Sequence, residues 1–351
     1  MLSKSFVSAA ILAGLASAAP TELSKRAAID ITVLQFALTL EHLENVFYKQ
    51  ALQNFTLQDF EHAGYSADYY NDLHYIAYDE QTHVQILQGA LTANGVTPNL
   101  PCSYNFPYTD VKSFITLSSV LEDVGTSAYL GAAPLITIPA YLTVAGSILA
   151  TEARHTAFQR TALSEVPMPN PLQTSLDPTS VYTLAAMFIT SCPSSNMALP
   201  FTPFKTLTTD GMSCTCEEPE CGNPSQVIKA KRNWPWSGGK EGNWPSGSWN
   251  PNQSGSCKPA SAGSTVSFKA AGSIASGSFV TFVNGLSVLS VSGTVNGMDI
   301  SAAVPAGIMG QTYVFITSKN ENGTLSAADV EYGPAILEVN PPAPAIDYSE
   351  A

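Results

Sequence analysis

Two Glu-x-x-His tetrads, Glu80-Gln81-Thr82-His83 and Glu152-Ala153-Arg154-His155, stand in separate helix-like stretches of this chain. Each follows a stretch carrying Glu-x6-Tyr, at Glu41/Tyr48 and Glu122/Tyr129, so the order is Glu, Glu-x-x-His, Glu, Glu-x-x-His. Residues three apart on an α-helix share a face, which lets the Glu and His of a tetrad reach the same point. Four carboxylates and two imidazoles projecting inward from four helices form the ligand set of a dinuclear metal centre in a four-helix bundle. Carboxylate oxygen with imidazole nitrogen suits two iron or manganese ions better than a thiolate-seeking metal. Coincidence explains the pattern poorly. Random placement of 16 Glu and 5 His in 351 residues would produce roughly a quarter of one such tetrad, whereas two are present on stretches of helical periodicity.

From Ile31 to about Leu163, apolar residues recur at alternating spacings of three and four, which predicts four long helices. Their seams run Leu34-Leu38-Glu41-Asn45-Tyr48-Leu52, Leu73-Ile76-Glu80-His83-Leu87, Ile115-Ser118-Glu122-Gly125-Tyr129-Ala132 and Tyr141-Ala145-Ile148-Glu152-His155-Gln159. In each helix the candidate ligand falls on the apolar seam. A bare carboxylate is costly there, and coordination of a cation offsets the cost. A short turn near Gly64 is expected between the first two helices, and Gly131–Pro139 between the last two. The longer Asn94–Tyr108 stretch, with Pro98, Pro101 and Pro107, separates the pairs. Two short-looped hairpins joined by one long crossover is the ferritin-like arrangement, with a pseudo-twofold axis between the hairpins. A further amphipathic helix is expected over Thr179–Thr190, so the bundle is taken as residues 27–195.

Residues 196–262 change character. All four tryptophans, Trp234, Trp236, Trp244 and Trp249, lie there among Gly, Pro, Ser and Asn. They read either as stacking platforms for cell-wall polysaccharide or as apolar cover in a disulfide-stapled connector. Cys214-x-Cys216-x4-Cys221 likewise reads as a zinc site or a disulfide knot, and no histidine follows His155 to complete a common zinc pattern. From 263 to 341 short alternating runs appear: Val266–Phe268, Phe279–Val283, Leu286–Val291 and Thr312–Ile316, with Asn322-Gly323 as a hairpin-turn signal. Six or seven strands in so short a segment suggest a small immunoglobulin-like β-sandwich. It holds neither His nor Cys, so binding or bracing is expected of it rather than catalysis. The fold class is therefore α+β and multidomain.

Residues 1–19 combine Lys4, an apolar stretch from Phe6 to Ala16 and the small-residue site Ala16-Ser17-Ala18. They read as a cleaved secretory signal, being too short to span a bilayer. Lys25-Arg26 ends a short propeptide, 20–26, and 342–351 form a polar tail. Secretion, free or held in a cell wall, is the expectation, without membrane insertion. Six cysteines, Cys102, Cys192, Cys214, Cys216, Cys221 and Cys257, suit an oxidising compartment and allow fifteen pairings. Asn54, Asn252 and Asn322 head sequons for glycosylation. The formal charge is −13. Loss of residues 1–26 would remove Lys4, Lys25, Arg26 and Glu22, leaving 12 basic and 27 acidic residues, or −15. An acidic chain without a basic stripe is a poor partner for nucleic acid.

The run Val33–Tyr48, VLQFALTLEHLENVFY, with the two Glu-x-x-His helices resembles the ferritin-like domain of fungal secreted proteins, among them stress-response and late-sexual-development proteins. Plant desiccation-related proteins look like more distant relatives. The resemblance covers roughly 30–195, and the tail over Pro305–Val339 also looks like that of the fungal members. It implies that Glu41 and Glu122 are terminal ligands, one to each metal, that Glu80 and Glu152 bridge, and that His83 and His155 each cap one metal. It further implies that Tyr48 and Tyr129 hydrogen-bond to the ligands from behind. Glu44, one turn from Glu41, reads as an additional ligand, a more distant acid or a solvated charge. Asp79 and Asp123 adjoin ligands but point about 100° around the helix and are expected at the surface. His42, His62 and His74 are expected on the surface or in loops.

Such a centre would serve an oxidase or ferroxidase reaction, or capture of iron or manganese, linked to stress response or fungal development. The sequence singles out no other catalytic residue. A competing reading is a structural or stress-protective wall protein that uses the bundle as a scaffold. Retention of all six ligand types counts against it. Cage-type iron storage fits least, since the connector and sandwich would obstruct shell packing.

Overall fold

The structure, a computed structural model, describes residues 23–209, 214–215 and 258–343. All four tryptophans, Cys216, Cys221, Cys257, Asn252, the proposed signal segment and most of the C-terminal tail lie outside the described residues. The chain divides into two compact units. Among the described residues no helix is long and apolar enough to cross a membrane.

The first unit, which runs through Leu163 and includes Ser175–Pro203, is helical. Its long helices are α1 (Leu23–Asn54), α3 (Ala67–Ala93), α4 (Val111–Ala132) and α5 (Pro139–Ala162), with a short α2 (Leu57–His62) between the first two. Local chemistry sets the helix starts. Thr56 and Asp59 form a capping box for α2, Ser66 caps α3 through the Tyr69 amide, and Asp110 with Ser113 boxes α4. Proline opens α5, where its missing N–H costs nothing. The turn expected near Gly64 is thus longer than anticipated. It carries α2, whose fully buried Phe60 anchors it in the aromatic core, and Gly64 closes it at φ 94°.

The crossover between α3 and α4 is tied down at both faces. The Gln35 amide donates to Thr97 O (2.7 Å) and accepts from the Asn99 amide (2.8 Å), while His42 Nε2 meets Asn99 O at 2.9 Å. Asn99 and Asn196 then exchange hydrogen bonds with Met197 and Leu100, and the Cys102–Cys192 disulfide locks the same neighbourhood. The segment expected as one helix over Thr179–Thr190 divides. Helix α6 (Pro178–Ala186) stops, and β2 (Ile189–Ser191) pairs with β1 (Ser103–Tyr104) in the crossover. The disulfide and the Asn105–Phe188 backbone bond favour the strand over continued helix.

The second unit comprises Ser164–Thr174 and the described residues from Phe204 onward. A sheet of β3 (Leu207–Thr209), β6 (Thr265–Ala270), β10 (Asp299–Ala303) and β9 (Thr294–Asn296), in that order, is antiparallel. So is the second sheet, ordered β12 (Val330–Val339), β11 (Gly310–Thr317), β7 (Phe279–Asn284) and β8 (Ser287–Ser292). A separate two-stranded pair joins β4 (Cys214–Thr215) to β5 (Lys258–Pro259). Alternation in β6 turns Val266, Phe268 and Ala270 inward, where they share one core with Phe282, Val314 and Leu337 of the other sheet. Two-residue hairpins sit at Gly285-Leu286 and Gly297-Met298, with Gly285 at φ 58° and Gly297 at φ 67°, rather than at Asn322-Gly323. The latter lies in the 318–329 connection, where Gly323 N–H donates to Val288 O.

Helix α4 needs Gly131 for packing. A Cβ there would stand 1.9 Å from Leu176 O, in a segment already bonded to α4 through Leu176 N–H and Ser127 O at 3.2 Å. Gly131→Ala should therefore destabilise the helical unit by about 2–3 kcal/mol. Urea unfolding followed by helical circular dichroism checks this, and an unshifted midpoint would contradict the packing.

Candidate metal centre

Each long helix delivers one part of a single buried cluster. Glu41 comes from α1, Glu80 and His83 from α3, Glu122 from α4, and Glu152 and His155 from α5. The four carboxylates are fully buried and each imidazole is 6% exposed. Two groups of facing ligand atoms result, each within 4.8 Å: Glu41, Glu80, His83 and Glu152, and Glu80, Glu122, Glu152 and His155. Glu80 and Glu152 belong to both groups, while Glu41 and Glu122 belong to one each.

Three carboxylate oxygens converge on one nitrogen. His83 Nδ1 lies 3.2 Å from Glu41, 3.3 Å from Glu152 and 3.4 Å from Glu80. His155 Nδ1 lies 3.1 Å from Glu80 and 3.2 Å from Glu122. A single N–H cannot satisfy so many acceptors. The aligned hydrogen bonds go to Glu41 and Glu122, and both oxygens of Glu80 and both of Glu152 are buried with no hydrogen-bond partner. Orphaned buried carboxylate oxygens of this kind are what a cation would satisfy. The residues present fit metal ions.

Supporting groups lie around the cluster. The Tyr129 hydroxyl donates to Glu41 and the Tyr48 hydroxyl to Glu122, each tyrosine reaching from one Glu helix to the other. Ser118 Oγ, at 2.6 Å, and Gln159 Nε2, at 3.1 Å, also meet the Tyr48 oxygen. Burial first, and then the adjacent carboxylate, raises both phenols well above their ordinary range, so they stay protonated donors. His155 Nε2 meets Asp79 Oδ2 at 3.1 Å, which leaves Nδ1 turned to the cluster. A carboxylate behind an imidazole in this way orients a metal ligand.

Several residues depart from their expected places. Asp79 is an imidazole partner rather than a bland surface acid, because its side chain lies beside the inward-facing His155. Asp123 is buried, since α4 is covered on several faces. His42 is also buried: burial pushes its pKa down, and Nε2 serves the crossover carbonyl. His62 and His74 are exposed, as expected. Glu44 is buried at the cluster, 5% exposed. Gly125 makes this possible, for a Cβ there would stand 2.8 Å from a Glu152 oxygen and 2.9 Å from a Glu44 oxygen. Among the cysteines, Cys102 pairs with Cys192. Of the sequon asparagines, Asn54 and Asn322 are exposed.

Burial and the neighbouring carboxylates push Glu44 and Glu152 well above their usual range. Burial pushes Glu80 up to about 7 despite the two imidazoles. Burial works to lower His83 and His155, but Glu41 and Glu122 respectively, with hydrogen bonds to the carboxylates, outweigh it and raise both. In the folded protein without metal, Glu80 therefore holds a proton that the unfolded chain, titrating at 4.5, has released. Stability must fall as pH rises from 4.5 through about 7. The histidines, raised above 6.5, act in the same direction above that pH. Chemical denaturation in chelator between these limits should show this decline, with Glu80→Gln flattening it. A flat or rising profile in the parent would contradict the cluster's electrostatics.

Residues 29–165 match a family described as Ferritin-like domain. Over 180 residues the chain is 28% identical to Protein rds1 of Schizosaccharomyces pombe, covering 51% of this chain and 44% of that protein. The match thus spans less than half of that relative's length. The helical unit thus carries a ferritin-like domain, and a fungal protein stands among the chain's relatives.

Proposed function

We propose that this chain is a secreted di-metal protein, holding two iron or manganese ions and acting as an oxidase or ferroxidase, or in metal capture, in stress response or fungal development. The observation that carries the reading is the pair of ligand groups sharing Glu80 and Glu152, whose four oxygens lack hydrogen-bond partners. A bound pair of ions would supply one-electron redox chemistry toward dioxygen or a peroxide. Glu80 and Glu152, common to both ligand groups, would help hold both ions, with Glu41 and His83 at one and Glu122 and His155 at the other. Tyr48 and Tyr129 would fix the terminal carboxylates through their hydroxyl protons, and Asp79 would orient His155. Glu44 adds a fifth carboxylate, which burial and then Glu152 push toward the protonated form.

Secretion rests on the N-terminal signal pattern, and the Cys102–Cys192 bridge supports it. The β unit is read as an immunoglobulin-like sandwich that braces or binds, a reading supported by two four-stranded antiparallel sheets sharing one core. Cell-wall polysaccharide is its proposed partner, through the tryptophan-rich connector.

Elemental analysis of the purified, reconstituted protein is expected to find close to two metals per chain. His83→Ala and His155→Ala should each lower that content substantially, while His62→Ala and His74→Ala, at exposed positions, should leave it unchanged. Less than about half a metal per parent chain, or equal loss in all four variants, would end the proposal.

A further inference from the structure

Matching Glu41 with Glu122 and Glu80 with Glu152 aligns the two hairpins, and the alignment exposes an inequality between the ends of the bundle. At one end the core beyond the carboxylates is filled with rings. Phe47 and Phe114 have centroids 5.0 Å apart, and Tyr69 stacks on Phe158 at 5.0 Å. At the other end the positions matching Phe47, Phe114 and Phe158 hold Ala128, Val33 and Ile86, and Leu73 is matched by Ala145. The missing side-chain volume appears there as a cavity of ≈ 90 Å³, lined by these four residues among others.

The polar groups on its wall are already engaged. Asp30 accepts from the Thr137 amide at 2.7 Å and from its hydroxyl, the Tyr141 oxygen accepts from Asn94 Nδ2, and Tyr129 donates to Glu41. Gln85, also on the wall, is exposed and marks the rim. What remains is apolar, aliphatic side chains together with the Phe36 ring, so an occupant would be held by burial of apolar surface. Apolar cavities of about 150 Å³ take benzene or xenon, and a water occupies about 30 Å³ of liquid. The present volume lies between these and suits a short hydrocarbon chain.

We propose that this cavity is a binding site for a small apolar molecule, entering past Gln85 and stopping against Tyr129. Tyr129 lines the cavity and bonds Glu41, so the occupant would lie one side chain from the carboxylate cluster. The proposal does not depend on the metal reading.

Xenon binding to the full chain, followed by xenon NMR, tests it, with propanol to octanol as competitors. The parent should bind xenon saturably and release it to the shorter alcohols. Ala128→Phe and Ala145→Leu, which restore the residue types of the matching positions, should weaken xenon binding by roughly tenfold or more because they occupy the space. Leu142→Phe, on the exposed face of α5, should bind as the parent does. Circular dichroism establishes folding, and if Ala128→Phe does not fold, Ala145→Leu decides. Absence of saturable binding in the parent, or parent-like binding in a folded cavity-filling variant, overturns the proposal. Measurements in chelator and with added iron or manganese separate the two readings. Xenon binding by a chain that takes up no metal sustains the cavity alone, and a metal-loaded chain that ignores xenon sustains the metal centre alone.

Discussion

Mutual repulsion among buried carboxylates is the constraint that organises the helical unit. Glu41, Glu44, Glu80, Glu122 and Glu152 are each at most 5% exposed and crowd around two imidazoles. In a medium of low dielectric constant such a group is tolerated only by taking up protons or by binding cations. The bundle shows both accommodations prepared. Glu80, Glu44 and Glu152 are displaced toward the protonated form, while oxygens of Glu80 and Glu152 are left without donors at the point where the two ligand groups overlap. The surrounding bonds from Tyr48, Tyr129 and Asp79 hold Glu122, Glu41 and His155 in place, so the cluster is already assembled in the fold.

The two halves of this bundle are alike at the six ligand positions and differ around them. Glu44 is matched by Gly125, and the glycine leaves the room that the glutamate fills. Asp79 is matched by Thr151, so His155 has an outer carboxylate where the matching position behind His83 carries a threonine. Phe47 is matched by Ala128, which separates a ring-packed end from one with a cavity. The two candidate ligand groups thus sit in unequal surroundings.

Periodicity and spacing made the bundle legible, because a glutamate on an apolar seam contradicts ordinary burial and announces itself in one dimension. The seam residues from Leu34 to Gln159 are the ones that line the core, and the helix-terminal Ser66 and Asp110 are ordinary caps. Residues that act across the bundle were harder to read. Asp79 looks like a surface acid by its angle on α3, yet its partner is a histidine from α5, a long-range contact that no local pattern encodes. His42 and Asp123 were misplaced because the crossover and other covering segments bury helix faces that helical periodicity assigns to solvent. Comparison of the halves would have flagged Glu44 through Gly125. In the β unit alternation marked the strands, but the hairpin at Gly285-Leu286 competed with the stronger Asn322-Gly323 signal, which lies in a longer connection.

X-ray absorption spectroscopy of the metal-loaded protein, at the iron and manganese edges, tests the central claim most directly. The expected spectrum has a nearest-neighbour shell of oxygen with some nitrogen, no sulfur, and a metal–metal scattering vector that disappears in His83→Ala/His155→Ala. Sulfur ligation, or bound metal with no metal–metal vector in the parent, would contradict it.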